Sequence, residues 1–469
     1  MRLCPGRDAS GRVSSALKTT PEPRGRSLRP RPRTDRFIRG LSRAVLRLFY
    51  RRIEVTGLEN LPAQGPVILV ANHNNSLIDG ALLMGFLPRL PRLVAASTVW
   101  KFKPIVPLMQ MAGVIAIYRQ KETTGAARLN AGTFAAATDL LAAGGMLSVF
   151  PEGKSHNDPD IKPLQSGTAR LALQAVNEAP ALIVLPVGLS FDAKGRFRSR
   201  ALMELGTPIP VADLTRDHTR PAAVRALTAA MRSGMQDVAQ DYDSRDSARL
   251  IGRAAELWEQ PHPDLQTQAS LALTTERRLD FTRRYDWLRN VHPNQTRDTW
   301  NALELYDTSL RAHGLRDAHI GANPTPRDWR RLWLRRVGEL LLRLPVAAVG
   351  IALNAVLILI GLMIAPFAEP DKRATLQVFP ALILSPVVWG LQGLAVGQLI
   401  GWQFGVITAF AAPLAVSQAL EFLDLLIRLR FDARARRRLR RPGLMQHLRD
   451  LRRKAQAQLD VLAGLFADE

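Results

Sequence analysis

Residues Pro66 to Leu87 read PVILVANHNNSLIDGALLMGFL. The first seven form a short, β-branched apolar run suited to a buried strand, and from Ile78 onward the apolar residues follow helical spacing. The same pattern recurs in GVIAIYR (Gly113 to Arg119), GMLSVFPEG (Gly145 to Gly153) and ALIVLPVGLSF (Ala181 to Phe191), with Ala-rich stretches between them. This alternation predicts an α/β domain with a central sheet flanked by helices. Ligands in such domains collect beyond the strand ends. The polar motifs fall there: Asn72 and His73, Arg119, Glu152 and Gly153, and Pro186 to Gly188.

Taken singly, each motif has an ordinary reading. A lone His is usually a surface or hydrogen-bonded core residue, FPEG is a turn, and Arg119 is a solvated strand end. Their shared position at successive strand exits suggests chemistry instead. Asp79 falls in the first turn of the helix that follows His73. An imidazole that donates one N–H to a carboxylate keeps its other nitrogen free to accept a hydroxyl proton. A guanidinium at the same edge, Arg119, can hold a phosphate through two parallel hydrogen bonds.

The 469 residues exceed one ordinary domain, and a hydrophobic fraction of 47% suffices for a core and membrane segments. A net charge of +23, carried mostly by Arg, favours anionic neighbours. Nucleic acid is not expected among them: no binding motif is present, aromatics make up 6%, and the arginines cluster beside apolar segments. The single cysteine, Cys4, excludes an internal disulfide and fits a reducing compartment. Five units are expected. Residues 1–35 form a disordered basic arm, rich in Arg, Pro, Ser and Gly. Residues 36–210 form the α/β domain, opened by a basic amphipathic helix from Phe37 to Tyr50 that packs on the domain or lies on a membrane surface. Residues 211–326 are a charged helical region, 327–427 a membrane region, and 428–469 a basic helical tail.

The membrane region holds two or three hydrophobic segments. Leu344 to Pro366 carries no charge over more than twenty residues, enough to cross a hydrocarbon core of about 30 Å. Leu376 to Ile400 and Phe404 to Ile427 are the others. Gly393, Gly397, Gly401 and Gly405 form a ladder that lets helices approach closely, and it runs across the break at Trp402, which leaves open a single kinked helix there. Arginines precede the first segment (Arg327, Arg330, Arg331, Arg335, Arg336) and follow the last (Arg428, Arg430, Arg434, Arg436, Arg437, Arg438). Positive flanks favour the cytoplasmic side. Two crossings are therefore preferred, with three as the alternative, and the basic tail is expected to lie against anionic headgroups.

The motifs resemble those of the glycerolipid acyltransferases, the family of the 1-acylglycerol-3-phosphate and glycerol-3-phosphate acyltransferases. The matching stretch runs from Val55, in VTGLENLPAQGPVILVANH, to Pro210, in LGTPIP, with four blocks in order. The resemblance implies that His73 is the general base and that Asp79 orients it. Asn72, Arg119, Glu152, Gly153, Lys154, Ser155 and His156 fall in the acceptor-binding blocks, where Arg119 and the Glu152–Gly153 turn contact the glycerol phosphate. Pro186 falls in the block that shapes the acyl-donor side. Three departures stand out. Five residues separate His73 from Asp79, where the family usually has four, a spacing similar to that of one branch of the family. Ser155 occupies a position often held by Arg, with Lys154, His156 or Lys162 as the alternative sources of positive charge. Gln165 and Ser166 stand where lysines are common.

The expected activity is transfer of a fatty acyl group from a thioester to the free hydroxyl of 1-acylglycerol-3-phosphate in phospholipid synthesis. Glycerol-3-phosphate is the alternative acceptor, and a non-catalytic membrane scaffold with a degenerate domain is the alternative class. Because the acceptor is itself the nucleophile, no covalent acyl-enzyme, metal or cofactor is expected. Acyl-CoA or acyl carrier protein is the co-substrate, and membrane lipids are the expected partners. The expected location is the cell membrane, with the catalytic domain on the cytoplasmic side.

Overall fold

The computed structural model describes residues 28, 31–119, 125–258, 270–321, 325–364, 369 and 372–467. Cys4 and most of the expected basic arm lie outside these residues. Helix α1 (Pro32–Phe49) starts five residues before Phe37, with Pro32 supplying a preset φ at the first helical position. It packs on the domain through Ile38, Leu46 and Phe49. Asp35, within the segment expected to be disordered, pairs with the buried Arg92 at 3.0 Å.

The sheet is built from β1 (Arg52–Thr56), β2 (Val67–Ala71), β3 (Arg92–Ala96), β4 (Ile115–Ile117), β5 (Met146–Val149), β6 (Ile183–Phe191), β7 (Arg200–Leu205) and β8 (Ile209–Pro210). Its order is β1-β7-β6-β2-β5-β3-β4, with β8 beside β6. All pairings along this path are parallel except β6 with β7, and β8 also runs antiparallel to β6. Every residue of β2 is buried, as its β-branched run requires of a central strand. The flanking helices are α2 (Leu77–Phe86), α3 (Val106–Met111), α4 (Ala126–Ala142) and α5 (Gly167–Ala175). One face of the sheet packs Ile68 and Val70 against α4 and α5, and the other packs Leu69 and Ala71 beneath Leu83 and Leu87.

The helical region comprises α6 (Val211–Thr215), α7 (Arg220–Val238), α8 (Arg245–Trp258), α9 (Leu271–Val291), α10 (Pro293–Ala312) and α11 (Ala318–Gly321). Glu54 of β1 caps α9 by accepting the N–H groups of Leu271 and Ala272 at 2.9 and 3.0 Å. Three long helices follow: α12 (Pro326–Ile364), α13 (Arg373–Ile400) and α14 (Trp402–Leu439). All three are long and apolar enough to cross a membrane. Gly401, at φ 115°, turns the chain between α13 and α14, and Gly393 meets Gly405 across the pair. The two segments therefore form an antiparallel hairpin and not one kinked helix. Asn354 joins the three, donating to Gly350 O and Ala412 O and accepting the indole N–H of Trp389 at 2.9 Å.

The last helix, α15 (Leu444–Ala467), lies in the expected basic helical tail. Leu448, Leu451, Ala455 and Leu459 share a core with Leu250, Leu303 and Leu310 of α8 and α10. Helical spacing collects these residues on one face, which turns back onto the helical region.

Candidate active site

Strand β2 ends at Ala71 and delivers Asn72 and His73 to the carboxyl edge of the sheet. Asn72 is buried and pairs with the backbone of β6, donating to Leu189 O at 3.0 Å and accepting from Leu189 N–H at 2.7 Å. It continues the strand pairing with a side chain. The His73 ring then lies parallel to Phe150 at 4.1 Å between centroids.

The five-residue spacing is taken up in the loop. Ser76 precedes α2 with φ 52° and ψ −129°, a conformation L-residues seldom adopt, and this places Asp79 in the first helical turn. The Asp79 carboxylate is buried, lies 3.0 Å from His73 Nδ1 and accepts the Asn75 N–H at 2.7 Å. A carboxylate only accepts, so Nδ1 carries the proton and Nε2 holds the lone pair. Asn75 itself is fully buried and donates to the Tyr50 hydroxyl at 2.8 Å, tying the loop to the end of α1. Neither Asn75 nor Ser76 was singled out in the sequence, whereas Phe150 was, as part of FPEG. The aromatic residue immediately before PEG was the available signal for the stack.

Glu152 arrives from the turn after β5. One of its oxygens accepts the His73 backbone N–H at 2.7 Å, and the other accepts the Lys162 backbone N–H at 2.9 Å and meets His156 Nε2. The His156 N–H in turn donates to the His73 carbonyl at 3.1 Å. The backbone of His73 is thus held on both sides by the FPEGKSH segment. Arg119, at the end of β4, donates to the carbonyl of Gly153 at 2.5 Å and fastens the same turn. Gly153 has φ 78°, the left-handed region open to glycine. Lys154 is exposed and Ser155 half-buried on this turn. Lys162 Nζ is bound by Asp158 and Asp160 at 2.8 and 3.0 Å. Pro186 is buried in β6 against Gly234 of α7.

A cleft of about 330 Å³ opens beside this cluster. Asn74 and His156 form one wall, Phe191 and Lys194 the β6 side, and Tyr242 and Arg245 a wall from the helical region. Lys194 and Arg245 belong to no sequence motif; the fold alone brings them here.

A model of the family described as Acyltransferase matches residues 52–190. The chain is 30% identical over 199 residues to human 1-acyl-sn-glycerol-3-phosphate acyltransferase alpha, covering 41% of this chain and 67% of that protein. The chain belongs to the glycerolipid acyltransferase family. Another family member, glycerol-3-phosphate O-acyltransferase 2 of Saccharomyces cerevisiae, is 27% identical over 41% of this chain and 26% of its own length. The chain thus spans about a quarter of that yeast relative. A crystal structure of the 1-acyl-sn-glycerophosphate acyltransferase PlsC of Thermotoga maritima aligns with a TM-score of 0.32 at 20% identity, over 45% of this chain and 85% of that one. The family match ends at Ser190, before both Lys194 and Arg245.

Proposed function

We propose that this acyltransferase moves a fatty acyl group from a thioester, acyl-CoA or acyl carrier protein, to the free hydroxyl of 1-acylglycerol-3-phosphate. The observation that carries the reading is the His73–Asp79 pair, at 3.0 Å, on a loop whose backbone is held by Glu152 and His156. Nε2 of His73 takes the hydroxyl proton as the acceptor oxygen attacks the thioester carbonyl. The C–O bond forms, the C–S bond breaks, and the proton leaves with the thiol. Asp79 stabilises the imidazolium in between. The nucleophile is the acceptor itself, so the step needs no covalent enzyme intermediate and no cofactor.

Glu152 and Arg119 act in this reading as positioning groups, because both bind backbone atoms of the catalytic loop and the PEG turn. The acceptor phosphate is taken by the cleft beside them. The coverage of two thirds of the human 1-acylglycerol-3-phosphate relative supports that acceptor. Glycerol-3-phosphate is the second reading, favoured by the likeness to the yeast glycerol-3-phosphate enzyme. The arginines flanking α12 and α14 support a cytoplasmic catalytic domain in the cell membrane.

The test offers full-length protein in lipid nanodiscs labelled acyl-CoA or acyl carrier protein with each acceptor in turn. The expected product is phosphatidic acid from 1-acylglycerol-3-phosphate. Acylation of glycerol-3-phosphate alone overturns the choice of acceptor, and transfer to neither overturns the activity.

A further inference from the structure

We propose that the groove between α12 and α14, where the two helices leave their apolar segments, is a binding site for the headgroup of one anionic phospholipid. The groove measures about 180 Å³. Its lining includes the ion pair of Arg336 with Asp432. Arg436 and Arg437 of α14, Arg440 at its C-cap and Trp333 of α12 also line it. Among the described residues none of these three arginines has a carboxylate partner, so three charges line a cavity whose only lining acid is already paired. Guanidinium groups in such numbers match the oxygens of a phosphate.

The position selects a lipid over other phosphate carriers. Arg436 lies nine residues after Ile427, about 14 Å along the axis, and helical side chains tilt towards the N-terminus. In α14 that tilt aims the guanidinium groups at the apolar segment, into the layer where headgroups lie. Trp333 is 47% exposed, as expected of an indole at a membrane interface. Leu340 and Leu344 follow it at spacings of seven and eleven residues, on the same face of α12. An acyl chain therefore has an apolar track leading away from the phosphate. A free phosphate ion would use the arginines and leave Trp333 and this track without a role.

The decisive experiment is native mass spectrometry of the detergent-solubilised full chain, titrated with phosphatidylglycerol, phosphatidylcholine or inorganic phosphate. One saturable phosphatidylglycerol is expected, at least fivefold preferred over phosphatidylcholine. The triple variant Arg436→Gln, Arg437→Gln, Arg440→Gln abolishes that preference. A control triple, Arg430→Gln, Arg434→Gln, Arg441→Gln, removes equal charge from residues that do not line the groove and retains it. Thermal unfolding of both variants confirms that they fold. Equal binding of the two lipids, equal loss in the control, or displacement by millimolar phosphate overturns the proposal. So does an acyl carrier protein that binds the parent but not the groove variant while lipid binding is unchanged.

Discussion

The buried carboxylate of Glu152 accepts the backbone N–H of His73 at 2.7 Å, across 79 residues of sequence. It acts on the backbone that carries the imidazole and not on the imidazole itself. Its other oxygen receives the Lys162 N–H and His156. Removing it by Glu152→Ala strands several desolvated donors, at about 1–3 kcal/mol for each one left unpaired. The expected result is a lower unfolding midpoint together with a fall in kcat of tenfold or more, while the acceptor KM changes less than threefold. A rise in KM at unchanged kcat would show that the carboxylate contacts the acceptor.

Ser76, in the five-residue stretch between His73 and Asp79, has a φ of 52°. Glycine adopts that conformation freely, whereas a β-branched residue is strained there by about 1–3 kcal/mol. Ser76→Gly should keep activity and the unfolding midpoint near those of the parent. Ser76→Val should lower both. Equal behaviour of the two variants in a thermal scan and a rate assay would mean that the loop does not set the His73–Asp79 geometry.

Ser155, Gln165 and Ser166 carry no charge, and Lys162 is engaged by two aspartates. Arg245, from α8, lines the cleft. Arg245→Ala is expected to raise the acceptor KM five- to tenfold with kcat within twofold of the parent, because a charge that binds ground and transition state alike alters KM alone. An unchanged KM assigns the phosphate elsewhere.

Glu204 of β7 is half-buried, and that desolvation, with the nearby charge of Glu276, pushes its carboxyl up to about 7. A carboxyl raised in the folded state contributes fully below its unfolded value of 4.5, and the contribution is lost as pH rises through 7. The unfolding midpoint should fall between pH 5 and pH 8, and Glu204→Gln should flatten that fall. Parallel slopes for parent and variant would exclude Glu204 as the source.

Strands β2, β4, β5 and β6 were legible because their apolar runs are short and bounded by turn residues, and helix α2 because its apolar residues follow helical spacing. Strand β3 was not: it opens with Arg92, whose buried guanidinium is satisfied by Asp35 and by the carbonyls of Leu28 and Ala112. Those partners come from distant segments, so the sequence presents only a charge in a short run. Strand β7 likewise hides behind Arg200, which is paired with Asp192. At the site, His73, Asp79 and the PEG turn were legible as motifs. The engagement of Glu152 with the His73 backbone was not, since a motif records which residues are near and not which atoms meet. The hairpin at Gly401 was hidden for a related reason: a four-residue glycine ladder reads the same along one helix or across two.

The most direct test compares acyl transfer by the parent and by His73→Ala, both as full chains in nanodiscs of matched composition, at saturating acyl donor and acceptor. Parent turnover with loss of at least a thousandfold in kcat for His73→Ala, at an unchanged unfolding midpoint, is the expected result, since both general-base activation and imidazolium stabilisation vanish together. Equal rates for the two proteins would contradict His73 as the base and with it the central claim.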